Sequence, residues 1–230
     1  MKEHDFVRKI SDHLVKGGFE AYYYQTKYGI KHRPGVSESI RTTLDRKMSQ
    51  SMLCDDALDN AMNVAIRKYE NGEYMLPELV FRAKCTGDAR DILWKRTGES
   101  KEKNKGTFVL ATVPGEEHVY GKHIVAVLLK GIGFKIIDLD PDVTVNEIIR
   151  SVKYHQPDYL GISITTASTI PDIKKTIGRF SENEDLEDVK IIIGGHAVGA
   201  GFTDSIDADS SCGDINQTLD FIKKLLISYK

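Results

Sequence analysis

The sequence predicts a chain in two parts, an N-terminal bundle of α-helices and a C-terminal α/β domain built on a parallel β-sheet. From Thr107 onward, short apolar runs rich in β-branched residues alternate with amphipathic stretches, as in successive βαβ units. Before Thr107, apolar residues recur at helical spacing without strand-like alternation. The stretch Thr97–Gly106 is polar and free of hydrophobic residues, which is typical of a linker. We therefore predict a helical bundle over residues 1–98, a linker over 99–106 and the α/β domain over 107–230.

The N-terminal part is predicted to contain helices and no strands. Two early helices are predicted at Phe6–Lys16 and Val36–Ser51. A break in the chain is predicted at His32–Gly35, before the second of them. Two later helices follow from apolar positions at helical spacing, namely Leu58, Ala61, Met62, Ala65 and Tyr69, then Leu76, Leu79, Val80 and Ala83. Asn71-Gly72 ends the first of these, and Pro77 suits the opening turn of the second. The run Tyr22–Tyr24 has no clear period, and we assign it to packing rather than to ligand binding.

The C-terminal part alternates predicted strands and helices. The strands are Thr107–Val113, Lys135–Leu139, Tyr159–Ile164 and Lys190–Ile193, with a weaker fifth at Ile206–Ser211. The helices are Gly121–Lys130, Val145–His155, Pro171–Phe180 and Ile215–Ser228. Because the strands are almost continuously apolar, both faces of the sheet should be covered by helices.

Composition excludes several classes of protein. The 230 residues are 40% hydrophobic and 29% charged, and 32 Lys and Arg against 34 Asp and Glu predict no general attraction to nucleic acid. Apolar runs such as Ile191–Ile193 are far shorter than the roughly 20 residues of a membrane span, and the charged N-terminus is unlike a secretory signal. Three scattered cysteines fit neither a disulfide framework nor a zinc or iron–sulfur site. These observations predict a cytoplasmic protein with no nucleic-acid or membrane partner.

Three loops follow the carboxyl ends of predicted strands, where open parallel sheets bind ligands. They are Val113–His123, Ser163–Ser168 and Gly194–Gly201. No GxGxxG follows the first strand, and five residues rather than four separate Gly115 from Gly121, with His123 where a P-loop has Ser or Thr. Glu116 and Glu117 would also repel phosphate. Both nucleotide-binding interpretations therefore fail.

His118 is the residue in these loops best suited to bind a metal or to move a proton. Residues two apart in an extended loop point the same way, so Glu116 can accept from His118 Nδ1–H and leave Nε2 free. A purely structural histidine is the alternative. Zinc is disfavoured because no His or Cys cluster supplies further ligands. His123 on a helix and His155 at a helix end are explained structurally, and His196 in the glycine loop stays open.

Taken together, the three loops resemble a known signature. The motifs Glu116-x-His118-x-x-Gly121, Ser163-x-Thr165 and Gly194-Gly195 are similar to the cobalamin-binding pattern DxHxxG…SxL…GG. The chain looks most like the corrinoid proteins of anaerobic methyltransferase systems that act on methanol, methylamines, methylthiols or aryl methyl ethers. The resemblance runs from about Ala57 to Leu226 and includes Tyr69–Leu79 (YENGEYMLPEL), which resembles the F-x-x-G-E-x-F-L-P-E segment of their helical cap.

The resemblance implies a Rossmann-like, flavodoxin-type cobalamin-binding domain with a helical cap. His118 would replace the dimethylbenzimidazole of cobalamin as the lower axial ligand of cobalt, with Glu116 and Ser163 as its proton relay. The nucleotide tail would enter the domain beside Ser163, Thr165 and the two glycines, while the cap shields the upper face. The implied cofactor-binding residues are Glu116, Glu117, His118, Val119, Gly121, Ser163, Thr165, Thr166, Gly194 and Gly195, with Met75, Leu76, Leu79 and Val80 as shielding or simply core residues of the cap.

The resemblance also implies the function. The chain would be a methyl-carrying subunit, not a catalyst on its own, that cycles between methylcobalamin and cob(I)alamin. It would receive the methyl group on a substrate-specific methyltransferase and deliver it on a second, acceptor methyltransferase, with a reductive activase as a further candidate partner. The alternatives are a cobalamin-dependent sensor, the small subunit of an adenosylcobalamin mutase, or a cofactor-free flavodoxin-like domain.

Two residues depart from the pattern. Glu116 stands where the signature has Asp, and its extra methylene predicts a contact with His118 that is looser or bridged by water. Thr165 stands where the signature has Leu and alters the wall of the pocket.

Overall fold

The computed structural model describes residues 10–12, 14–15, 22–26, 29–33, 57–97, 105–199 and 206–229. The chain divides into two compact units. Unit 1 comprises Met1–Lys103, Lys130–Gly133 and Leu226–Lys230, and unit 2 comprises Asn104–Leu129 and Phe134–Leu225. Residues 98–104 of the expected linker and the helix expected at Val36–Ser51 lie outside the described residues, and the proposed domain bounds stay a prediction.

Unit 1 contains an antiparallel β-hairpin where we predicted no strand. Strand β1 (Tyr22–Thr26) pairs with β2 (Gly29–Arg33), with Tyr22 opposite Arg33 and Thr26 opposite Gly29. The expected break at His32–Gly35 is therefore wrong at His32 and Arg33. Tyr and Thr favour extended backbone, and a short hairpin needs no apolar alternation. Residues 10–12 and 14–15 are helical, within the helix expected at Phe6–Lys16.

Two longer helices of unit 1 confirm the helical periodicity. Helix α1 (Asp59–Glu70) buries Ala61, Met62, Ala65 and Ile66, and α2 spans Leu76–Thr97. Asn71 and Gly72 end α1, because Gly72 adopts a positive φ of 74° that favours glycine. An ion pair between Arg90 of α2 and Asp59 of α1 is almost fully buried, and Arg90 Nε also donates to the Gly131 carbonyl at 3.1 Å.

Unit 2 is an open parallel sheet with helices. In chain order its elements are β3 (Thr107–Thr112), α3 (Tyr120–Gly131), β4 (Lys135–Asp138), α4 (Val145–His155), β5 (Tyr159–Ser163), α5 (Ile170–Ser181), β6 (Lys190–Gly194), β7 (Ser210–Cys212) and α6 (Ile215–Ser228). The strand order is β4-β3-β5-β6-β7, and every pairing is parallel. This confirms the predicted α/β class and four of its strands to within a residue at each end. The weak fifth strand starts later than expected, at Ser210.

The topology of the sheet locates the candidate site. The chain passes from β3 outward to β4, then back across β3 to β5 and on to β6, so the direction of travel reverses between β3 and β5. Right-handed crossovers then place α3 on one face of the sheet and α4 and α5 on the other. Apolar residues of α4 and α5 share one buried cluster with alternate strand residues, among them Val109, Ala111, Leu160, Ile162, Ile191 and Ile193. Helix α6 lies on the opposite face, where Phe221 meets the ring of Tyr159 edge to face.

In the described part of the chain, no helix combines the length and apolar character needed to cross a bilayer.

Candidate functional site

The loop after β3 begins with a tight turn that projects Glu116 and His118 from the carboxyl end of the sheet. The Glu116 amide donates to the Val113 carbonyl at 3.1 Å, which closes the turn. Pro114 and Gly115 occupy its two central positions, and Gly115 has a φ of +81°. Proline followed by a glycine of positive φ is what a type II turn requires. The local sequence Val-Pro-Gly-Glu thus fixes where the side chain of Glu116 starts.

The side chain of Glu116 is fully buried and joins the loops after β3 and β5. Its Oε2 accepts from the backbone amides of Thr165 at 2.7 Å and Thr166 at 2.9 Å. Its Oε1 accepts from the backbone amide of His118 at 3.0 Å and lies 2.7 Å from His118 Nδ1. The expectation of a loose or water-bridged contact with the imidazole is therefore wrong. The Glu116 carboxylate contacts His118 and the neighbouring loop at the same time.

The charge state of Glu116 follows from these contacts. Burial is the largest single influence and by itself raises the pKa of this carboxyl group. The amides of Thr165, His118 and Thr166 and the His118 imidazole outweigh it together and lower the pKa from 4.5 to about 2. At neutral pH Glu116 is a buried carboxylate whose negative charge is stabilised by hydrogen bonds with three backbone amides and the His118 ring.

His118 presents its ring to solvent from this buried anchor. Its side chain is 65% exposed, whereas that of Glu116 is fully buried. With Nδ1 held by the carboxylate, Nε2 is the nitrogen open to an incoming ligand. No group of three or more His, Cys, Asp and Glu residues suited to a metal ion occurs among the described residues.

His123 and His155 have the structural settings expected of them, whereas the role of His196 stays open. His123 lies on α3, with Nε2 3.6 Å from Asp138 Oδ2. His155 is the last residue of α4 and packs edge to face on Tyr154. His196 is exposed in the turn after β6.

The loop after β4 contacts the His118 loop from its other side, and our sequence analysis missed these residues. Asp142 Oδ1 accepts from the Gly115 amide at 2.7 Å, and the Asp142 amide donates to Thr112 Oγ1 at 3.0 Å. The buried Nζ of Lys122 lies 2.8 Å from Asp138 Oδ1 and also donates to the Leu139 carbonyl. No sequence motif links these positions. A weak signal was Lys122 itself, which follows the motif glycine and would otherwise be expected at the surface.

A row of small residues crosses the carboxyl edge of the sheet on the face of α3 and α6. Thr112, Ser163, Gly194 and Cys212 are register partners on four neighbouring strands and so point to the same face. A Cβ on Gly194 would meet only the Cys212 carbonyl oxygen, at an ordinary 3.5 Å. A Cβ on Gly121, at the start of α3, would meet no described atom within 4 Å. Packing among the described residues therefore does not require a glycine at either position.

Glycine is required at position 195 by the packing of the backbone. The φ of Gly195 is +117°, and a Cβ there would lie 2.0 Å from the Ile164 carbonyl oxygen. The close approach of the two loop backbones therefore explains this glycine without any cofactor.

The remaining predicted residues fall into three groups. Thr165 and Thr166 meet Glu116 through their amides rather than their hydroxyls, and in the described residues the Ser163 hydroxyl is not among the groups that contact the carboxylate. Glu117 and Val119 flank His118, exposed and half-buried respectively. In unit 1, Met75 is 70% exposed and Leu76 and Val80 are half-buried, whereas Leu79 is fully buried and serves as core.

The loops of this site lie in a region of the chain that is similar to known proteins. Residues 106–216 match the B12-binding domain family. The chain is 27% identical to dimethylamine corrinoid protein 1 of Methanosarcina acetivorans over 181 residues, which are 78% of this chain and 85% of that protein. It is 28% identical to the trimethylamine corrinoid protein of Methanosarcina barkeri over 161 residues, 69% of this chain and 74% of that protein.

The same fold occurs in solved structures. The methanol:cobalamin methyltransferase complex MtaBC from Methanosarcina barkeri superposes with a TM-score of 0.77 at 22% identity, covering 97% of this chain and 81% of that one. A cobalamin-binding protein from Desulfitobacterium hafniense gives a TM-score of 0.69 at 22% identity, covering 96% and 97%. The domain match gives this chain a B12-binding, that is cobalamin-binding, domain over residues 106–216. Over most of its length the chain is also similar to proteins named as corrinoid proteins for dimethylamine and trimethylamine.

Proposed function

We propose that this protein is a methyl carrier that binds cobalamin base-off, with His118 as the lower axial ligand of cobalt. The observation that carries the proposal is the Glu116–His118 pair, in which a buried carboxylate holds Nδ1 at 2.7 Å behind a largely exposed ring. Metal-binding imidazoles are commonly oriented by such a carboxylate on the other nitrogen. The pair supports a ligand that binds through one nitrogen, because the carboxylate holds Nδ1 while Nε2 lies on an exposed ring.

The residues around His118 suit a corrin ring. Because the corrin ring would supply the other ligands of cobalt, the protein would need to supply one donor atom. His118 would supply it. The nucleotide tail would enter beside Gly194 and its register partner Ser163, on the face of α3 and α6. Ser163 and Thr165 would offer hydroxyl groups to the tail. When bound, the cobalt supplies the centre at which a methyl group is taken up and released.

The protein's own residues would hold and move one proton in this cycle. When it is not bound to cobalt, His118 Nε2 would be open to a proton from solvent, because its ring is exposed. Glu116, 2.7 Å from Nδ1, would hold the ring in place in either state. A relay through the Ser163 hydroxyl is not needed, since Glu116 is already saturated by His118 and two amides.

The partners belong to the same proposal. The methyl group would come from a substrate-specific methyltransferase and pass to a second methyltransferase, with a reductive activase to restore the reduced cofactor. The names of the relatives, which are corrinoid proteins for dimethylamine and trimethylamine, and the methanol:cobalamin methyltransferase complex support a methyltransferase partner.

Reconstitution with hydroxocobalamin tests the axial ligand. Protein labelled with [15N]histidine should bind one corrinoid, and after reduction to cob(II)alamin its electron paramagnetic resonance should show doublets from a 15N ligand. His118→Ala should lose this splitting. His155→Ala, a matched control at the far end of α4, should keep it.

Two outcomes would contradict the proposal at different levels. If the wild-type protein bound no corrinoid, the carrier function would fall. If it bound corrinoid but showed only the 14N splitting of dimethylbenzimidazole, the cofactor would be bound base-on and His118 would not be its ligand.

A further inference from the structure

The loop that carries His118 is held at both of its flanks by contacts with neighbouring loops. On the β5 side, Glu116 binds the amides of Thr165 and Thr166. On the β4 side, the contacts come from the segment 138–142, which begins at the last residue of the edge strand β4. Nothing in the function proposed above assigns a role to that second flank.

Asp142 fastens the start of the loop with both its backbone and its side chain. Its amide donates to Thr112 Oγ1 at 3.0 Å, and Thr112 is fully buried at the end of β3. Its Oδ1 accepts from the Gly115 amide, at the tip of the turn that leads to Glu116, at 2.7 Å. The two bonds close a small ring that connects the end of β3 to the tip of the turn.

The backbone of Asp142 is adapted to this task. Its φ is +58°, in the left-handed region that non-glycine residues rarely occupy and that Asp and Asn tolerate best. Such a conformation persists only where surrounding contacts hold it, and the bonds to Thr112 and Gly115 are two such contacts. Asp suits this position because it tolerates the positive φ and its short side chain accepts a hydrogen bond from the turn.

The end of the loop is fastened to the same segment. Lys122, in the first turn of α3, buries its Nζ against Asp138 Oδ1 at 2.8 Å and the Leu139 carbonyl. The Leu139 amide in turn donates to the Leu110 carbonyl of β3 at 2.9 Å. His118 therefore lies between two points, Gly115 and Lys122, that are anchored to one short stretch of chain.

From this geometry we infer that Asp142 is a positioning residue for the axial histidine. By fixing the tip of the turn, it sets the place from which Glu116 and His118 project, so that the ring meets cobalt without first reordering the loop. The inference rests on the proposed function, because it needs His118 to be a ligand. Asp142 would set the fraction of the protein in which His118 is bound to cobalt.

Four variants of the holoprotein test the inference. In Asp142→Ala and Asp142→Gly, the ratio of cob(II)alamin with 15N-histidine splitting to cob(II)alamin without it should fall about tenfold. That factor corresponds to about 1.4 kcal/mol, which is near the lower end for a hydrogen bond to a charged acceptor. Asp142→Asn keeps the acceptor and tolerates the backbone, so its ratio should stay within about twofold of wild type. Asp140→Ala, in the same exposed loop, is the control and should leave the ratio unchanged.

The comparison of Ala with Gly separates the hydrogen bond from backbone strain, because glycine adopts a positive φ freely. If Asp142→Gly kept the wild-type ratio, or if all variants did, the inference would be overturned even though the carrier function stood. A wild-type protein without 15N splitting would overturn both the axial ligand and the inference. Circular dichroism of each variant shows that the comparison is made on folded protein, and a merely structural role for Asp142 would lower the melting temperature without changing the ratio.

Discussion

Glu116→Gln removes the charge of the buried carboxylate and keeps its size and shape. All four contacts of the carboxylate, three backbone amides and the His118 Nδ1, lie at 2.7–3.0 Å. A glutamine oxygen can satisfy only one side, so its NH2 group would face donors on the other. We therefore expect the variant to lose stability and the two loops to lose their shared anchor.

The size of the loss follows from the pKa of the carboxyl group. Lowering it from 4.5 to about 2 corresponds to ~3 kcal/mol at about 1.4 kcal/mol per pH unit. The folded-state pKa lies below the unfolded value, so this stabilisation is fully present above about pH 4.5 and is lost as the pH falls toward 2. The stability difference between wild type and variant should thus be constant from pH 7 to 5 and smaller by about 1.4 kcal/mol at pH 3.5.

Urea unfolding followed by circular dichroism at pH 7, 5 and 3.5 measures this difference. Glu117→Gln is the matched control, because Glu117 is adjacent and exposed and should change stability by less than about 0.5 kcal/mol. Hydrogen exchange at the amides of Thr165 and Thr166 should also accelerate in the Glu116 variant. A difference below about 1 kcal/mol at pH 7, or one that did not shrink at low pH, would refute the reasoning.

Two further predictions concern packing. Gly195→Ala should lower the free energy of unfolding by more than about 2 kcal/mol, because its Cβ would collide with the Ile164 carbonyl at a φ that essentially only glycine adopts. Gly199→Ala should change it little, because a Cβ there meets no described atom within 4 Å. Equal melting temperatures for these two alanine variants would contradict the steric explanation. Arg90→Met should cost about 3–5 kcal/mol because it leaves the Asp59 carboxylate buried without this guanidinium, and urea unfolding followed by the single tryptophan measures it. A loss under about 1 kcal/mol would contradict the stabilising role assigned to this buried ion pair.

Local sequence signals predicted most of the elements of unit 2. The bounds of α4 and α6 match the expected Val145–His155 and Ile215–Ser228 residue for residue. For α4 the reason is local: Thr144 and Glu147 form a capping box, and the apolar positions recur at helical spacing. The β1–β2 hairpin was missed because its residues show no alternation, and strand pairing of that kind depends on a partner rather than on pattern.

The sequence by itself determined the class of fold, the cobalamin signature and the pairing of His118 with Glu116, because all three are written in residue types at short spacing. Only the tertiary structure decided what surrounds that pair. Glu116 meets amides 49 and 50 residues away, and Gly115 meets Asp142 across 27 residues, because parallel strands bring distant loops to one edge of the sheet. We expected hydroxyl groups near Glu116, yet backbone amides hold it. Every residue carries an amide, so no sequence pattern can reveal which of them a fold will use.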